Sequence, residues 1–314
     1  MANAFRWGIL GAAGINRRVV PGLHLAGHTI AIIGSRDPAK GAEAVAEFRA
    51  ERTGSYEEVL SAKDIDAVYV PLPNGLHKEW AIRAAEAGKH VLCEKPMATT
   101  VADCEEMVAA SQRHGVHLVE AFMYRNHPQW QIAWRAINEG RLGKLLTLRA
   151  TFQFPSNDPH NVRLSSSLAG GVLQDAGCYC VNACRWFLGE PTRVRGISLD
   201  RQGHGVDTHN VAALEFASGA LAILSCSFDT VNVQTVELIG DKGRIEFPTA
   251  FVPPAMARVR IVDADGDRVE TVPEANAYAL QAKAFERLLR EGGPVLSPAT
   301  DAAGTQAVIA AWRA

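Results

Sequence analysis

Across residues 5–120 the apolar positions switch between two rhythms, short β-branched runs and longer stretches with helical spacing. The runs FRWGIL (5–10), TIAIIG (29–34), DAVYV (66–70), HVLCE (90–94) and HLVE (117–120) predict strands. Helical patterns fall at 38–51, 76–88 and 100–114, with Asp37 placed to cap before Pro38 and with Gly88 and Gly115 at C-terminal ends. Strand and helix repeated in this order predict a parallel sheet covered on both faces.

Past residue 122 the rhythm changes. A helical run, PQWQIAWRAINEG (128–140), precedes a long alternating segment, KLLTLRATFQF (144–154), and a glycine-flanked helix at 172–188. Strand patterns at 210–217, 220–228, 231–240, 243–247 and 257–264 then follow without helices between them, joined by turns such as ASGA and GDKG. This predicts an α+β domain with an antiparallel meander. Helical patterns at 275–292 and 300–313 end the sequence. The expected division is 1–121 and 122–314, with the last helices able to pack back on the first domain.

Composition narrows the function. A chain of 314 residues exceeds what one hydrophobic core usually serves, which agrees with two domains. The formal net charge of −2 supplies no global field for nucleic acid or an anionic membrane. MANAFRWGIL has no basic stretch leading into an apolar signal core, and no uncharged run reaches the roughly 18 residues of a membrane span, so a cytoplasmic location is expected. The six cysteines (93, 104, 178, 180, 184 and 226) lie in apolar surroundings and predict reduced core residues. The cluster in GCYCVNAC raises a zinc alternative, but no second Cys or His pair follows at a metal-binding distance, and no metal is expected.

Chemistry gathers at the predicted strand ends. GILGAAGIN follows the first strand and opens a helix, the context in which backbone N–H groups and a helix N-terminus meet a pyrophosphate. In the Gly-x-Gly-x-x-Gly frame only Gly11 remains, with Ala13 and Asn16 in the other two places and Gly14 out of frame. The second strand ends at Ser35 and Arg36, about 24 residues on, where such folds read the adenosine ribose. A guanidinium in place of a carboxylate favours the 2′-phosphate of NADP over NAD. Asp37 is assigned to the helix cap. VPLPNGLH (70–77) and CEKP (93–96) end the next two core strands, so Gly11, Ser35, Asn74 and Lys95 share one rim. Pro96 disfavours helical geometry at Lys95 and withholds a backbone donor, which sends the chain out of the strand extended.

Together GILGAAGIN, GSRDPAK, VPLPNGLH, HVLCEKPMATT, VEAFMYRNHPQ and GGVLQDAGCYCVN resemble the glucose–fructose oxidoreductase, inositol dehydrogenase and MocA family, from about residue 6 to the last helix. EAFMYR, NVR at 161–163 and tyrosine at 179 resemble the branch of glucose–fructose oxidoreductase, NADP-linked xylose dehydrogenases and dimeric dihydrodiol dehydrogenases. The resemblance implies a Rossmann domain followed by an open, mainly antiparallel sheet that mediates homo-oligomer contacts, as a dimer or tetramer. It implies Lys95, Asp175 and Tyr179 as the catalytic set. Lysine, near 10.4 when free, is made a better base by desolvation and by the cationic oxidised nicotinamide. Either Lys95 or Tyr179 can then carry the proton.

The cofactor-facing set comprises Gly11, Ala12, Ala13, Gly14 and Ile15 in the turn, Ser35, Arg36 and Lys40 after the second strand, and Leu72, Asn74 and His77 after the third. Glu94, Lys95, Glu120 and Tyr278 complete it, and Tyr124, Arg125, Asn161 and Arg163 are candidates for sugar hydroxyls. The implied activity is hydride transfer between NADP and a sugar or cyclic polyol. The alternatives are an NADPH-dependent reductase of a ketosugar or dicarbonyl, and a non-catalytic NADP-binding sugar sensor. His127, His160 and His209 are left as core or surface residues.

Overall fold

The computed structural model describes residues 4–314. Its backbone divides into two compact units, one formed by the residues up to Asn126 with Asn276–Ala303, the other by His127–Ala275 with Gly304–Ala314.

The first unit is built on six parallel strands: β1 (Arg6–Leu10), β2 (Thr29–Gly34), β3 (Arg52–Gly54), β4 (Ala67–Val70), β5 (His90–Cys93) and β6 (Leu118–Glu120). Their order, β3-β2-β1-β4-β5-β6, is that of a dinucleotide-binding sheet. Val68, Tyr69 and Val70, like Ile32 and Ile33, are buried whichever way they point, because helices cover both faces. The helices are α1 (Asn16–Leu25), α2 (Pro38–Phe48), α3 (Tyr56–Ser61), α4 (His77–Glu86) and α5 (Val101–Arg113).

The expected strands and helices all form, within a few residues of their predicted ends. Two further elements, β3 and α3, fill the stretch 52–61 for which no element was expected. Three residues are too few to show a strand period. The helix does carry a capping box, Ser55 and Glu58 exchanging hydrogen bonds.

Helix α8 (Ala277–Glu291) also belongs to this unit, together with the 3-10 turn Met123–Asn126, so the unit extends beyond residue 121 and is discontinuous in sequence. Its Phe285 stacks on Trp7 at 5.3 Å and packs with Phe5, Val19, Leu23 and Ile30. Close approach is permitted by Gly22 of α1, where a Cβ would lie 2.5 Å from the Cβ of Tyr278 and 3.0 Å from the backbone N of Ala279.

The second unit holds eight strands: β7 (Leu145–Gln153), β8 (Pro191–Leu199), β9 (His209–Phe216), β10 (Leu221–Ser227), β11 (Val233–Gly240), β12 (Arg244–Phe247), β13 (Arg258–Asp263) and β14 (Gly266–Thr271). The order is β14-β13-β12-β11-β7-β10-β9-β8. All pairs are antiparallel except β7 with β10, so the sheet is open and mainly antiparallel. Alternation on β9 and β10 buries Ala212, Leu214, Ala222 and Leu224 and leaves Val211, Leu221 and Ile223 exposed. The strands at the two ends, β8 and β14, carry few buried side chains, and neither was expected from the pattern.

Helices α6 (Gln129–Asn138) and α7 (Cys178–Leu188) supply the apolar cover, with Trp130 stacked on Phe247 at 4.4 Å and Trp134 on Phe187 at 4.9 Å. Helix α9 (Ala302–Arg313) ends the described chain. The six cysteines are all buried and free. Among the described residues no three or more His, Cys, Asp or Glu side chains are grouped to hold a metal ion, and no helix is long and apolar enough to cross a membrane.

Candidate active site

Parallel strands bring their carboxyl ends to one edge, and in the first unit that edge collects the turn after β1, Ser35 and Arg36 after β2, Leu72 and Asn74 after β4, and Glu94 and Lys95 after β5. Gly11 adopts φ +117° while its N–H donates to Gly34 O at 2.9 Å, which joins the β1 and β2 ends. A Cβ there would stand 3.2 Å from Leu72 Cδ2 and would be strained, whereas a Cβ on Gly14 would meet nothing within 4 Å. The space over the turn is therefore open. Ala12 and Gly14 are exposed, and Ala13 and Ile15 are half-buried.

Asn16, which departs from the glycine fingerprint, is buried and donates from Nδ2 to Gly11 O at 2.9 Å, so it braces the turn. Helix α1 starts with no side-chain cap and no acidic residue in its first turn. Open space, a bulk-free turn and an uncapped positive helix end fit a dinucleotide pyrophosphate.

At the end of β2, Asp37 accepts from the N–H groups of Ala39 and Lys40 at 2.9 and 3.3 Å, which makes it the cap of α2, as its position before Pro38 suggested. Ser35 Oγ donates to Asp37 O at 2.7 Å. Arg36 and Lys40 are exposed. Arg36 stands near enough to the phenol of Tyr56 for its charge to act on it, and the Tyr56 ring meets Trp80 edge-on at 4.7 Å. Tyr56 lies in a stretch too short to show a strand period, and only the capping box before it was available as a signal.

The segment after β5 is held from several sides. The Lys95–Pro96 bond is cis, and Lys95 is half-buried. Glu94 accepts from Tyr69 Oη at 2.7 Å and from Lys95 N at 3.2 Å. Glu120, expected on the cofactor rim, is buried and accepts from Met97 N at 2.8 Å. His77, expected at the nicotinamide ribose, is only 1% exposed, with Nδ1 2.8 Å from Pro96 O and Nε2 2.7 Å from Leu72 O. Burial lowers its basicity, against the pull of those two carbonyls, and Lys95 lowers it further. Glu120 and His77 thus direct polar atoms into the protein because the turns they support need donors and acceptors there.

Tyr278 arrives on α8. Burial first, then the nearby Glu94 carboxylate, pushes its phenol up to about 12. Arg18 is exposed and stands near enough to that phenol for its charge to act on it. Its signal was its place in INRR directly after the glycine turn, which drew no assignment.

Two residues expected at sugar hydroxyls lie inside the first unit. Tyr124 is fully buried and meets Phe122 edge-on at 5.8 Å. Arg125 is buried and donates to Leu296 O at 2.6 Å and to Asp301 Oδ2 at 3.1 Å, tying the 3-10 turn to the segment after α8. A basic residue beside a polar motif resembles a ligand contact in sequence. Here the guanidinium pairs with one backbone carbonyl and one carboxylate.

In the second unit the helix expected at 172–188 begins with a π-helical turn, Leu173–Gly177, and continues as α7. Asp175 sits in the π turn and Tyr179 in the first turn of α7. The change of helical pitch between them alters the simple four-residue spacing, and such turns recur at functional sites. Asp175 Oδ2 accepts from Arg163 Nε at 2.6 Å, and the Arg163 guanidinium lies 5.7 Å over the Phe154 ring. Asn161 Oδ1 accepts from Arg163 N at 3.1 Å, so Asn161 caps the short turn that presents the arginine. Tyr179 is 7% exposed, packed edge-on to Phe152 at 5.2 Å and beside Phe251 at 5.5 Å. Of the histidines, His127 is buried, which lowers it to about 4; His160 is exposed, and His209 Nδ1 lies 2.8 Å from Ser227 Oγ.

Comparison with known proteins agrees with this arrangement. Residues 5–122 match the oxidoreductase family described as GFO/IDH/MocA, NAD-binding Rossmann fold, and residues 130–246 match the GFO/IDH/MocA C-terminal domain. A D-xylose 1-dehydrogenase (NADP(+)) from Haloferax volcanii is 40% identical over 292 residues, 91% of this chain and 89% of the relative. A dTDP-3,4-didehydro-2,6-dideoxy-alpha-D-glucose 3-reductase from Saccharopolyspora spinosa is 35% identical over 304 residues, 95% and 92% of the two chains. The crystal structure of a 3-ketoreductase from Actinomadura kijaniata in complex with NADP and TDP-benzene superposes with a TM-score of 0.92 at 29% identity, covering 99% of this chain and 97% of the other. With both of its parts matched, the chain belongs to the glucose–fructose oxidoreductase, inositol dehydrogenase and MocA family of oxidoreductases.

Proposed function

We propose that the protein transfers a hydride between NADP and a sugar or cyclic polyol, in the manner of an aldose 1-dehydrogenase. The observation that carries this reading is the shared strand-end rim of the first unit, where an open glycine turn, an exposed arginine and a half-buried lysine follow β1, β2 and β5. Bound NADP supplies the hydride acceptor or donor at its nicotinamide ring. The turn of Gly11–Ile15 receives the pyrophosphate, and Arg36, beside Tyr56, pairs with the 2′-phosphate, with Lys40 adding charge. Asn74, Glu94 and Tyr278 belong to the same cofactor rim.

Lys95 or Tyr179 takes the hydroxyl proton in oxidation and returns it in reduction. Arg163 holds the carboxylate of Asp175 in place, and Asn161 holds Arg163. The test is cofactor-coupled absorbance over a panel of aldoses, polyols and dihydrodiols with NADP and NAD; turnover of an aldose with NADP is expected, and silence across the panel counts against the reading.

A second reading, reduction of a ketosugar with NADPH by the same residues, is favoured by the 3-reductase from Saccharopolyspora spinosa and the 3-ketoreductase from Actinomadura kijaniata. NADPH oxidation with ketosugars and none with aldoses would select it.

Cofactor choice gives a sharper outcome. Loss of one charge-assisted hydrogen bond costs about 1.5–3 kcal/mol, so Arg36→Ala is expected to weaken NADP about tenfold or more while NAD changes little. Titration by nicotinamide fluorescence checks this, and equal loss for both would remove Arg36 from the 2′-phosphate site.

The proposed homo-oligomer forms through the sheet of the second unit, whose outer face exposes Ile197, Val211, Leu221 and Ile223. These apolar side chains stand among charged ones such as Arg149 and Glu215 on the same face, the mixed character of an interface surface. Light scattering is expected to give a dimer or tetramer for the native chain and a monomer for Ile223→Glu; a monomeric native chain would refute it.

A further inference from the structure

We propose that His77 is a positioning residue, which ties the turn after β4 to the segment after β5 and so fixes where Lys95 stands. The proposal rests on the reading of Lys95 as a proton-transfer group.

The two carbonyls that His77 engages belong to different turns. Leu72 O lies after β4 and Pro96 O after β5, and these strands are neighbours in the sheet. Other supports of the second segment come from around it: Glu94 takes Lys95 N, Glu120 takes Met97 N, and Cys93 Sγ reaches Met97 O at 3.8 Å. Glu94 also takes Tyr69 Oη of β4, and His77 reaches the turn beyond that strand through Leu72 O. It stands at the first position of α4, so the helix anchors the ring that joins the two turns.

The chemistry of the ring suits the task. Pro96 O belongs to the Pro96–Met97 peptide, whose N–H is already taken by Glu120, so the carbonyl needs a donor of its own in this buried place. Imidazole can present N–H groups on opposite sides. A neutral ring carries one such proton, and the Leu72 and Pro96 carbonyls compete for it. A phenylalanine of similar shape would fill the space and take away the one N–H that the two buried carbonyls share. A glutamine would return amide N–H groups to at least one of them.

A misplacement of about 1 Å at a reacting group costs on the order of 100-fold in rate. His77→Phe is therefore expected to lower kcat about 30-fold or more, with KM for the sugar and Kd for NADPH within about threefold of native, and His77→Gln is expected to recover about tenfold of the loss. A parallel loss of NADPH affinity, or a glutamine variant no better than phenylalanine, would overturn the proposal.

A second measurement does not depend on turnover. After reductive methylation with 13C-formaldehyde, the dimethyl-Lys95 signal, assigned by its absence in Lys95→Met, is expected to shift in His77→Phe and to move back towards native in His77→Gln. An unchanged signal in His77→Phe would overturn the positioning role. If the native chain turns over no sugar in either direction while this signal behaves as expected, it is the hydride-transfer reading that fails, and the tie between the turns stands.

Discussion

Lys95→Met is expected to lower kcat by about 10³-fold while NADPH binds within about threefold of native. Methionine keeps the length and apolar stem of lysine and removes only the ammonium, so packing at the cis Lys95–Pro96 segment is conserved. General acid–base catalysis contributes typically 10²–10⁴-fold, which sets the size of the loss. Steady-state absorbance at 340 nm with the accepted sugar gives kcat, and nicotinamide fluorescence gives the affinity. Tyr179→Phe, run beside it, separates the two proton-transfer candidates. A drop confined to the tyrosine variant would assign the proton to the phenol and leave Lys95 a binding role. Near-native turnover in Lys95→Met would remove the lysine from the mechanism.

Trp7→Ala is expected to cost about 3–5 kcal/mol of stability, the range for truncating a large buried aromatic, with Tm lowered by about 10 °C. Trp7 is fully buried in β1, 5.0 Å from Phe5 and 5.3 Å from Phe285 of α8. Its Nε1 donates to His28 Nδ1 at 3.0 Å, so the other ring nitrogen carries the proton and donates to Glu286 Oε2 at 3.0 Å. Burial lowers His28 from its ordinary range, ahead of the opposing pull of Glu286.

The sign follows from that direction. The unfolded imidazole takes up protons first, so the stability tied to neutral His28 is complete above about pH 6.5 and is lost as pH falls towards the lowered folded value. Without the indole, Nδ1 is released from its acceptor role, and the alanine variant is expected to lose less stability on acidification than the native chain. Urea unfolding at pH 7.5 and 5.5 measures both effects. A loss below about 1 kcal/mol at neutral pH would show that the site collapses around the cavity.

The sequence displayed the strands of the first unit because their burial on both faces leaves unbroken apolar runs, as in AVYV and IAII. It displayed the rim because strand ends and proline or glycine turns coincide there. β8 and β14 were not legible, since edge strands with one thinly covered face carry little hydrophobic alternation. The π-helical turn at Leu173–Gly177 was hidden for another reason, as its pitch is set by packing about Gly177, where a Cβ would meet Leu173 Cδ1 at 2.6 Å and Cys226 Sγ at 3.0 Å.

Among the candidate site residues, types were read more surely than directions. Arg125, His77 and Glu120 are polar residues next to motifs, and pattern alone cannot say whether such a side chain turns towards a ligand or towards an unsatisfied peptide group. Arg125 reaches a carbonyl at Leu296, 171 positions away, a partner that no local window contains. Tyr56 and Arg18 show the opposite case, neighbours of rim residues that drew no assignment because they stand in segments without a recognised motif.

The return of α8 to the first unit bears on how the chain is made. A ribosome releases β1 to β6 well before it has synthesised Phe285, so the apolar surface around Phe5, Trp7 and Ile30 stays uncovered while about 165 further residues are added. Closure of that surface is a long-range event, slow relative to local helix formation. A circular permutant that begins at Asn276 and rejoins the native ends through a linker would give the nascent unit its missing helix at the outset. It is expected to become protease-resistant earlier in synthesis than the native order allows.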